Sequence, residues 1–190
     1  HPVEGLDQAA HYIERARGRA RGSEVGGLVH VQVADAFDAT ASAPCGLAYN
    51  WWSGFGYADT DERNLQMLER AFESLSPGGR YFVDTMNAPQ VLRSFEGHRS
   101  SERQTSRGRV RIEVESKVEL ASGTLVKHWR LHHADGSVED IQSRVRLYAP
   151  HELVSLFRRA GFEDVRLLGG VDGHVLDLDS PRCIVSGARP

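Results

Sequence analysis

Eight consecutive residues, Asn50-Trp51-Trp52-Ser53-Gly54-Phe55-Gly56-Tyr57, hold most of the chemical information in this chain. Trp51, Trp52, Phe55 and Tyr57 fall close together and follow neither a helical nor a strand period. Clustered rings of this kind exclude water and attract a cationic centre, such as a sulfonium, through their π faces. Ser53, Gly54 and Gly56 let the backbone approach a ligand closely. The alternative is a subdomain contact that needs aromatic side chains for packing. Trp52 and Tyr57 are the candidates to border a reacting centre, orienting it and keeping it dry. A proton-accepting role for Tyr57 would need a perturbed phenol, because the ordinary pKa is about 10. Asn50 is the candidate hydrogen-bonding group of the segment.

A second set of candidates stands at strand tips. Asp7, Asp35 and Asp84 each close an apolar run. In a doubly wound sheet, a carboxylate at such a tip can accept two hydrogen bonds from ribose hydroxyls. Asp7 and Asp35 read equally as caps of the elements that follow them. Ala36-Phe37 can form an apolar slot for a purine ring, or Phe37 can pack in the core. Further along, His128, Arg130 and His132 share one strand face, with His133 beside them. They lack the converging cysteines or acids of a metal centre, so no metal site is expected. A solvated or substrate-facing polar surface is the reading adopted, with a histidine general base as the alternative. Phe55, His128, Arg130 and Tyr148 are the candidate substrate contacts.

These residues need a frame. Val3 to Leu6 reads as a strand, and Ala9, Tyr12, Ile13, Ala16 and Ala20 repeat at helical spacing from about Gln8 to Arg21. Leu28 to Val33 and Cys45 to Tyr49 are the next two strands. Leu65, Leu68, Phe72 and Leu75 form the stripe of a helix capped by Asp59 or Thr60, with Glu62 placed as in a capping box. That helix is expected to stop at Ser76-Pro77-Gly78-Gly79, ahead of a strand from Arg80 to Val83. Strand, aromatic loop, helix and strand make a parallel crossover unit, and ligands sit beyond the carboxyl ends of such strands.

Pro89 to Phe95 predicts a helical turn or two, and Gly97 to Gly108 a polar, mobile stretch. The period then drops to two. Val110, Ile112, Val114 and Val118 alternate with charged residues, and Asp135-Gly136 marks a hairpin. Three antiparallel strands over 109–148 are expected as an insertion in the parallel frame. Pro150 opens a helix through Ala160, closed by Gly161. Val165 to Leu168 and Cys183 to Ser186 are the last strands.

Composition narrows the class. The chain has 190 residues, 40% hydrophobic and 26% charged, which fits one soluble globular domain over 1–190. A net charge of -3 gives no basic footprint for nucleic acid. No apolar run is long enough for a bilayer helix. Cys45 and Cys183 read as reduced, packed thiols, which fits a cytoplasmic protein.

The order of these motifs resembles class I S-adenosylmethionine-dependent methyltransferases over nearly the whole chain. Asp7 looks like the acid that holds the cofactor's ribose, with Gln8 beside it. Asp35-Ala36-Phe37 looks like the adenine turn. Asn50 and Trp51 open the segment that lines cofactor and substrate, and Leu75-Ser76-Pro77-Gly78-Gly79-Arg80 is similar to the approach to that family's fifth strand. The insertion is similar to that of small-molecule N-methyltransferases. The resemblance implies a doubly wound Rossmann-like α/β sheet, S-adenosylmethionine as cofactor, and a small-molecule acceptor with an N- or O-nucleophile. A homodimer stays open. The family's first strand and glycine-rich loop would precede Val3, so an N-terminal segment upstream of His1 is expected. The alternatives are a non-catalytic binding or assembly domain of the same fold and, third, a nicotinamide-dependent oxidoreductase.

Overall fold

Strand β1 (Val3–Asp7) and strand β2 (Val29–Val33) pair in parallel, from Val3 opposite Val29 to Asp7 opposite Val33. Helix α1 (Ala10–Arg21) makes the crossover between them. It starts later than its apolar period implies. The Asp7 carboxylate accepts the Ala9 N–H at 2.7 Å and turns the chain first. The computed structural model describes residues 1–105 and 108–190.

The second sheet begins with β3 (Cys45–Asn50). Helix α2 (Asp61–Ser74) follows, then β4 (Leu75–Thr85), parallel to β3. Thr60 supplies the cap, its Oγ1 accepting from the Arg63 N–H at 3.1 Å. Asp61 and Glu62 in the first turn suit the helix dipole. The expected helix stop at Ser76–Gly79 is corrected. The helix ends at Ser74, and these residues form a bulge inside β4, since pairing steps from Cys45–Leu75 to Leu47–Arg80. The bulge is pinned to the chain end by Gly78 N–H on the Arg189 carbonyl and Arg189 N–H on the Gly79 carbonyl, each 2.8 Å.

Helix α3 (Ala88–Arg93) follows β4. Next come β5 (His98–Thr105), β6 (Gly108–Glu119), β7 (Thr124–His133) and β8 (Val138–Arg146), which pair antiparallel in that order. The insertion therefore has four strands, where three were expected. The polar stretch expected to be mobile holds β5, paired with β6 from His98–Glu115 to Thr105–Gly108. Its charged residues gave no period-two apolar signal, because β5 is a solvent-exposed edge strand. Ser106 and Arg107 of that expectation lie outside the described residues.

Helix α4 (Pro150–Arg159), β9 (Glu163–Leu168) and β10 (Cys183–Ala188) complete the chain. Strands β10 and β9 extend the second sheet antiparallel, in the order β3-β4-β10-β9. The main core lies between this sheet, α2 and α4, with Leu68, Val83, Leu153, Phe157, Phe162 and Val185 at its centre. The Phe157 and Phe162 ring centroids are 5.1 Å apart. A smaller core of Ala88, Leu125, Val145 and Leu147 seats the insertion on α3. Among the described residues, no helix is long and apolar enough to cross a membrane.

The two parallel units are not hydrogen-bonded to each other through strands among the described residues. Side chains join them instead. The Glu4 carboxylate accepts from Ser42 N–H at 2.9 Å and Ser42 Oγ at 2.8 Å, near the amino ends of β1 and β3. Arg63, on the first turn of α2, reaches Asp38 at 2.8 Å, past the carboxyl end of β2. All four parallel strands thus present their carboxyl ends to the same side.

The insertion docks on the aromatic loop by backbone contact. The Gly56 carbonyl accepts the Arg146 N–H at 2.8 Å. Gly56 has φ of 97°, and a Cβ there would lie 2.8 Å from the Arg146 carbonyl oxygen. Gly56→Ala should therefore destabilise the fold by about 1–3 kcal/mol. Urea unfolding checks the size, and hydrogen exchange should show the Arg146 amide losing protection while the Val83 amide keeps it.

Candidate functional site

Asp84 ends β4 one residue before its last position and is almost completely buried. A buried carboxylate is tolerated only when it is paired and hydrogen-bonded. Asp84 meets that condition. Arg182 Nε donates to Oδ1 at 2.6 Å and Nη2 to Oδ2 at 2.7 Å, a two-pronged ion pair. The Trp52 N–H donates to Oδ2 at 3.0 Å, and the Ser53 N–H donates to the Asp84 carbonyl at 3.0 Å. Arg182 Nη2 also donates to Ser53 Oγ at 2.8 Å.

That clamp explains an unusual backbone. Trp52 and Ser53 both occupy the left-handed region, with φ of 63° and 59°. Side-chain-bearing residues there cost of order 1–3 kcal/mol each and persist only where the surroundings hold them. The outcome is that the Trp52 ring is turned outward, 84% exposed, and Tyr57 is half exposed. Trp51 sits edge-on to Tyr49, with centroids 6.3 Å apart. Asn50 turns inward, its Nδ2 donating to Met67 Sδ at 3.4 Å.

Asp7 and Asp35 do not cap a helix, since the cap of α1 is Ala9 without a side-chain bond, and each acid instead closes a local turn. Asp35 Oδ1 accepts the Phe37 N–H at 3.0 Å, as Asp7 Oδ1 does from Ala9. Phe37 packs against the main core, and the Arg63 guanidinium lies 4.8 Å over its ring. Gln8 and Ala36 are exposed beside these acids. Asp7, Gln8, Asp35, Ala36, Phe37, Asn50 and Trp51 thus lie at or just past the carboxyl ends of β1, β2 and β3, strands of two separate sheets.

Other assignments change. Phe55 is 1% exposed and packs on Tyr148 at 5.5 Å between ring centroids. Tyr148 is itself buried, its hydroxyl donating to Asp61 Oδ1 at 2.5 Å and accepting from Asn64 Nδ2 at 3.0 Å. Both were candidate substrate contacts, and both are core residues that lock the insertion to α2. Burial first, and the Asp61 carboxylate second, hold the Tyr148 phenol far above its ordinary range.

His128, Arg130 and His132 do share a strand face, but carboxylates across the sheet accompany them. His128 Nε2 meets Asp140 at 2.8 Å, Arg130 lies 3.6 Å from Glu115 and 3.6 Å from Asp140, and His132 Nε2 meets Glu113 at 2.9 Å. The hydrogen bond from His132 keeps the Glu113 carboxyl below its usual range. These are cross-strand pairs spaced along the sheet, not groups converging on one point.

The comparisons follow from this geometry. No family model matches the chain, and no curated protein matches it. Solved structures do. The CcbJ methyltransferase from Streptomyces caelestis aligns with a TM-score of 0.84 at 19% identity, over 99% of this chain and 75% of that one. The chain has the class I S-adenosylmethionine-dependent methyltransferase fold. An S-adenosylmethionine-dependent methyltransferase from Clostridium acetobutylicum ATCC 824 aligns at 0.80 and 12% identity, over 100% of this chain and 75% of that one. CalS10, an amino pentose methyltransferase from Micromonospora echinaspora solved with the cofactor bound, aligns at 0.74 and 17% identity, over 100% and 74%. In this chain the Asp84 clamp ties the aromatic loop after β3 to the end of β4 and to Arg182, the residue before β10.

The clamp was not visible as a unit in the sequence. Asp84 stood out as a strand-tip acid, but its partner Arg182 lies on the far side of the insertion, with no local spacing to join the two. Asp84→Ala should lower stability by about 3 kcal/mol, the range for leaving one partner of a buried pair alone. Denaturant unfolding measures this, and Trp52 and Ser53 should leave the left-handed region in a crystal structure of the variant.

Proposed function

We propose that this chain carries out methyl transfer from S-adenosylmethionine to a small-molecule N- or O-nucleophile. One observation carries the reading: Asp7, Asp35 to Phe37 and Asn50 to Trp51 lie at or just past the carboxyl ends of β1, β2 and β3, in a fold held in common with S-adenosylmethionine-dependent methyltransferases. The residues fit the group. Asp7 spends one oxygen on Ala9, and among the described residues the other has no hydrogen-bond partner, so it is free for a ribose hydroxyl. Phe37 fits less simply, because Arg63 already covers part of its ring.

The cofactor supplies an electrophilic methyl group, and displacement at that carbon needs no strongly nucleophilic side chain. The chain's work is positioning and water exclusion. Asp7 binds the ribose. Trp52 and Tyr57, presented by the Asp84 clamp, cover the transfer site and orient the acceptor. The insertion faces the acceptor and sets its choice, since grafted segments vary while fold cores keep their chemistry. We infer a cytoplasmic location from the sequence composition alone.

A non-catalytic binding domain is the second reading. The observation that favours it is that Arg63 already lies over the Phe37 ring and Asp35 Oδ1 already accepts the Phe37 N–H. Titration calorimetry with S-adenosylmethionine and its demethylated product tests the cofactor assignment. Asp7→Ala should weaken binding by about 1–3 kcal/mol, the range for hydrogen bonds to a charged group. Unchanged affinity removes Asp7 from the site. Binding without turnover across amine and hydroxyl acceptors would favour the second reading.

A further inference from the structure

Arg63 stands where the turn after β2 meets the start of α2. In that turn the Asp38 and Ala39 amides donate to the Asp35 carbonyl at 3.0 and 2.9 Å, which holds Asp38 beside Asp35. Arg63 is the third residue of α2, and its own amide closes the Thr60 cap. Its guanidinium reaches across to the turn. Nη1 donates to Asp38 Oδ1 at 2.8 Å and to Gln66 Oε1 at 2.7 Å, and Nη2 donates to Asp38 Oδ2 at 3.0 Å. Asp35 Oδ2 lies 3.7 Å from Nη2.

This arrangement stands in the way of a direct aromatic contact. The half-buried Phe37 ring packs against the main core and carries the Arg63 guanidinium 4.8 Å from its centre. A purine stacked on that face of Phe37 would have to displace Arg63. Single exposed ion pairs are weak, but a two-pronged pair inside a network keeps its geometry. The carboxylate and the glutamine engage the edge of the guanidinium. Its flat face remains, on a side chain that is 38% exposed. Guanidinium planes are weakly hydrated and stack on aromatic rings and nucleobases.

Charge selects the kind of ring. Arg63 brings one positive charge to this spot, and Asp35 and Asp38 bring negative charge beside it. The three together leave no excess positive charge for a phosphate, whereas a flat, neutral heterocycle meets no such penalty. We infer that Arg63 is the purine contact of the cofactor site: the adenine of S-adenosylmethionine lies on the outer face of the Arg63 guanidinium, and Phe37 supports the guanidinium from behind instead of touching the base. This rests on the methyl-transfer reading and adds a residue to its cofactor site. It also gives the covered Phe37 ring a role, as the backing of the stack.

Nuclear magnetic resonance of the full chain with S-adenosylhomocysteine tests the contact. The ring current of the purine should move the Arg63 Hε and Hδ signals upfield, and nuclear Overhauser effects should join the purine ring protons to the Arg63 side chain. Arg63→Lys keeps the charge and loses the plane. It should weaken S-adenosylhomocysteine binding at least about fivefold in titration calorimetry, the low end for losing a stacked base. Overhauser effects from the purine to the Phe37 ring with none to Arg63, or unchanged affinity in Arg63→Lys, would overturn the inference and leave the cofactor assignment standing. No binding of S-adenosylhomocysteine by the parent protein would overturn the proposed function, and this inference with it.

Discussion

The buried charge of Asp84 is the constraint on which the carboxyl end of this molecule depends. A carboxylate so placed would cost several kcal/mol if left alone. Its compensation comes from Arg182 and from the amide of Trp52, which lie on opposite sides of the insertion in sequence. Satisfying Asp84 therefore forces three things at once. It brings the start of β10 to the end of β4, it holds the segment before β10 over the sheet, and it bends Trp52 and Ser53 into left-handed backbone. The strain in the loop is the local cost of turning the Trp52 ring outward, and the ion pair offsets it.

A second set of contacts ties the insertion to the same loop. The Gly56 carbonyl holds the Arg146 amide, and the Tyr148 hydroxyl reaches Asp61 and Asn64 on α2. Phe55 fills the space between, against Tyr148. The aromatic loop is thus gripped from the frame through Asp84 and from the insertion through Gly56. Its alternating use of side chains follows: Phe55 faces inward to the core, while Trp52 and Tyr57 face outward.

Much of the frame was legible because its signals are local. The apolar stripe of α2, Pro150 at the start of α4, the Asp135-Gly136 hairpin and the strand tips at Asp7 and Asp35 each depend on neighbours in sequence. The errors have a common cause. Strand β5 is paired by backbone bonds that charged side chains do not advertise. Ser76-Pro77-Gly78-Gly79 looked like a helix stop because proline and glycine mark breaks in both helices and bulges. Phe55 and Tyr148 looked like ligand contacts because an aromatic ring gives no sign of which way it faces. His128 and Arg130 looked open because their carboxylate partners sit on other strands. Pairing across the sheet is set by register, and register is not written in any short window.

The proposed function requires that the ends of β1, β2 and β3 bind the cofactor together, beside the clamped aromatic loop. Chemical-shift mapping with S-adenosylhomocysteine addresses it directly, because each backbone amide and each tryptophan indole reports separately. The account predicts that shifts concentrate on Asp7, Gln8, Phe37, Asn50 and Trp51, with the indole of Trp129 in β7 unmoved. Shifts confined to the outer strands of the insertion, or to the exposed side of α1, would contradict it.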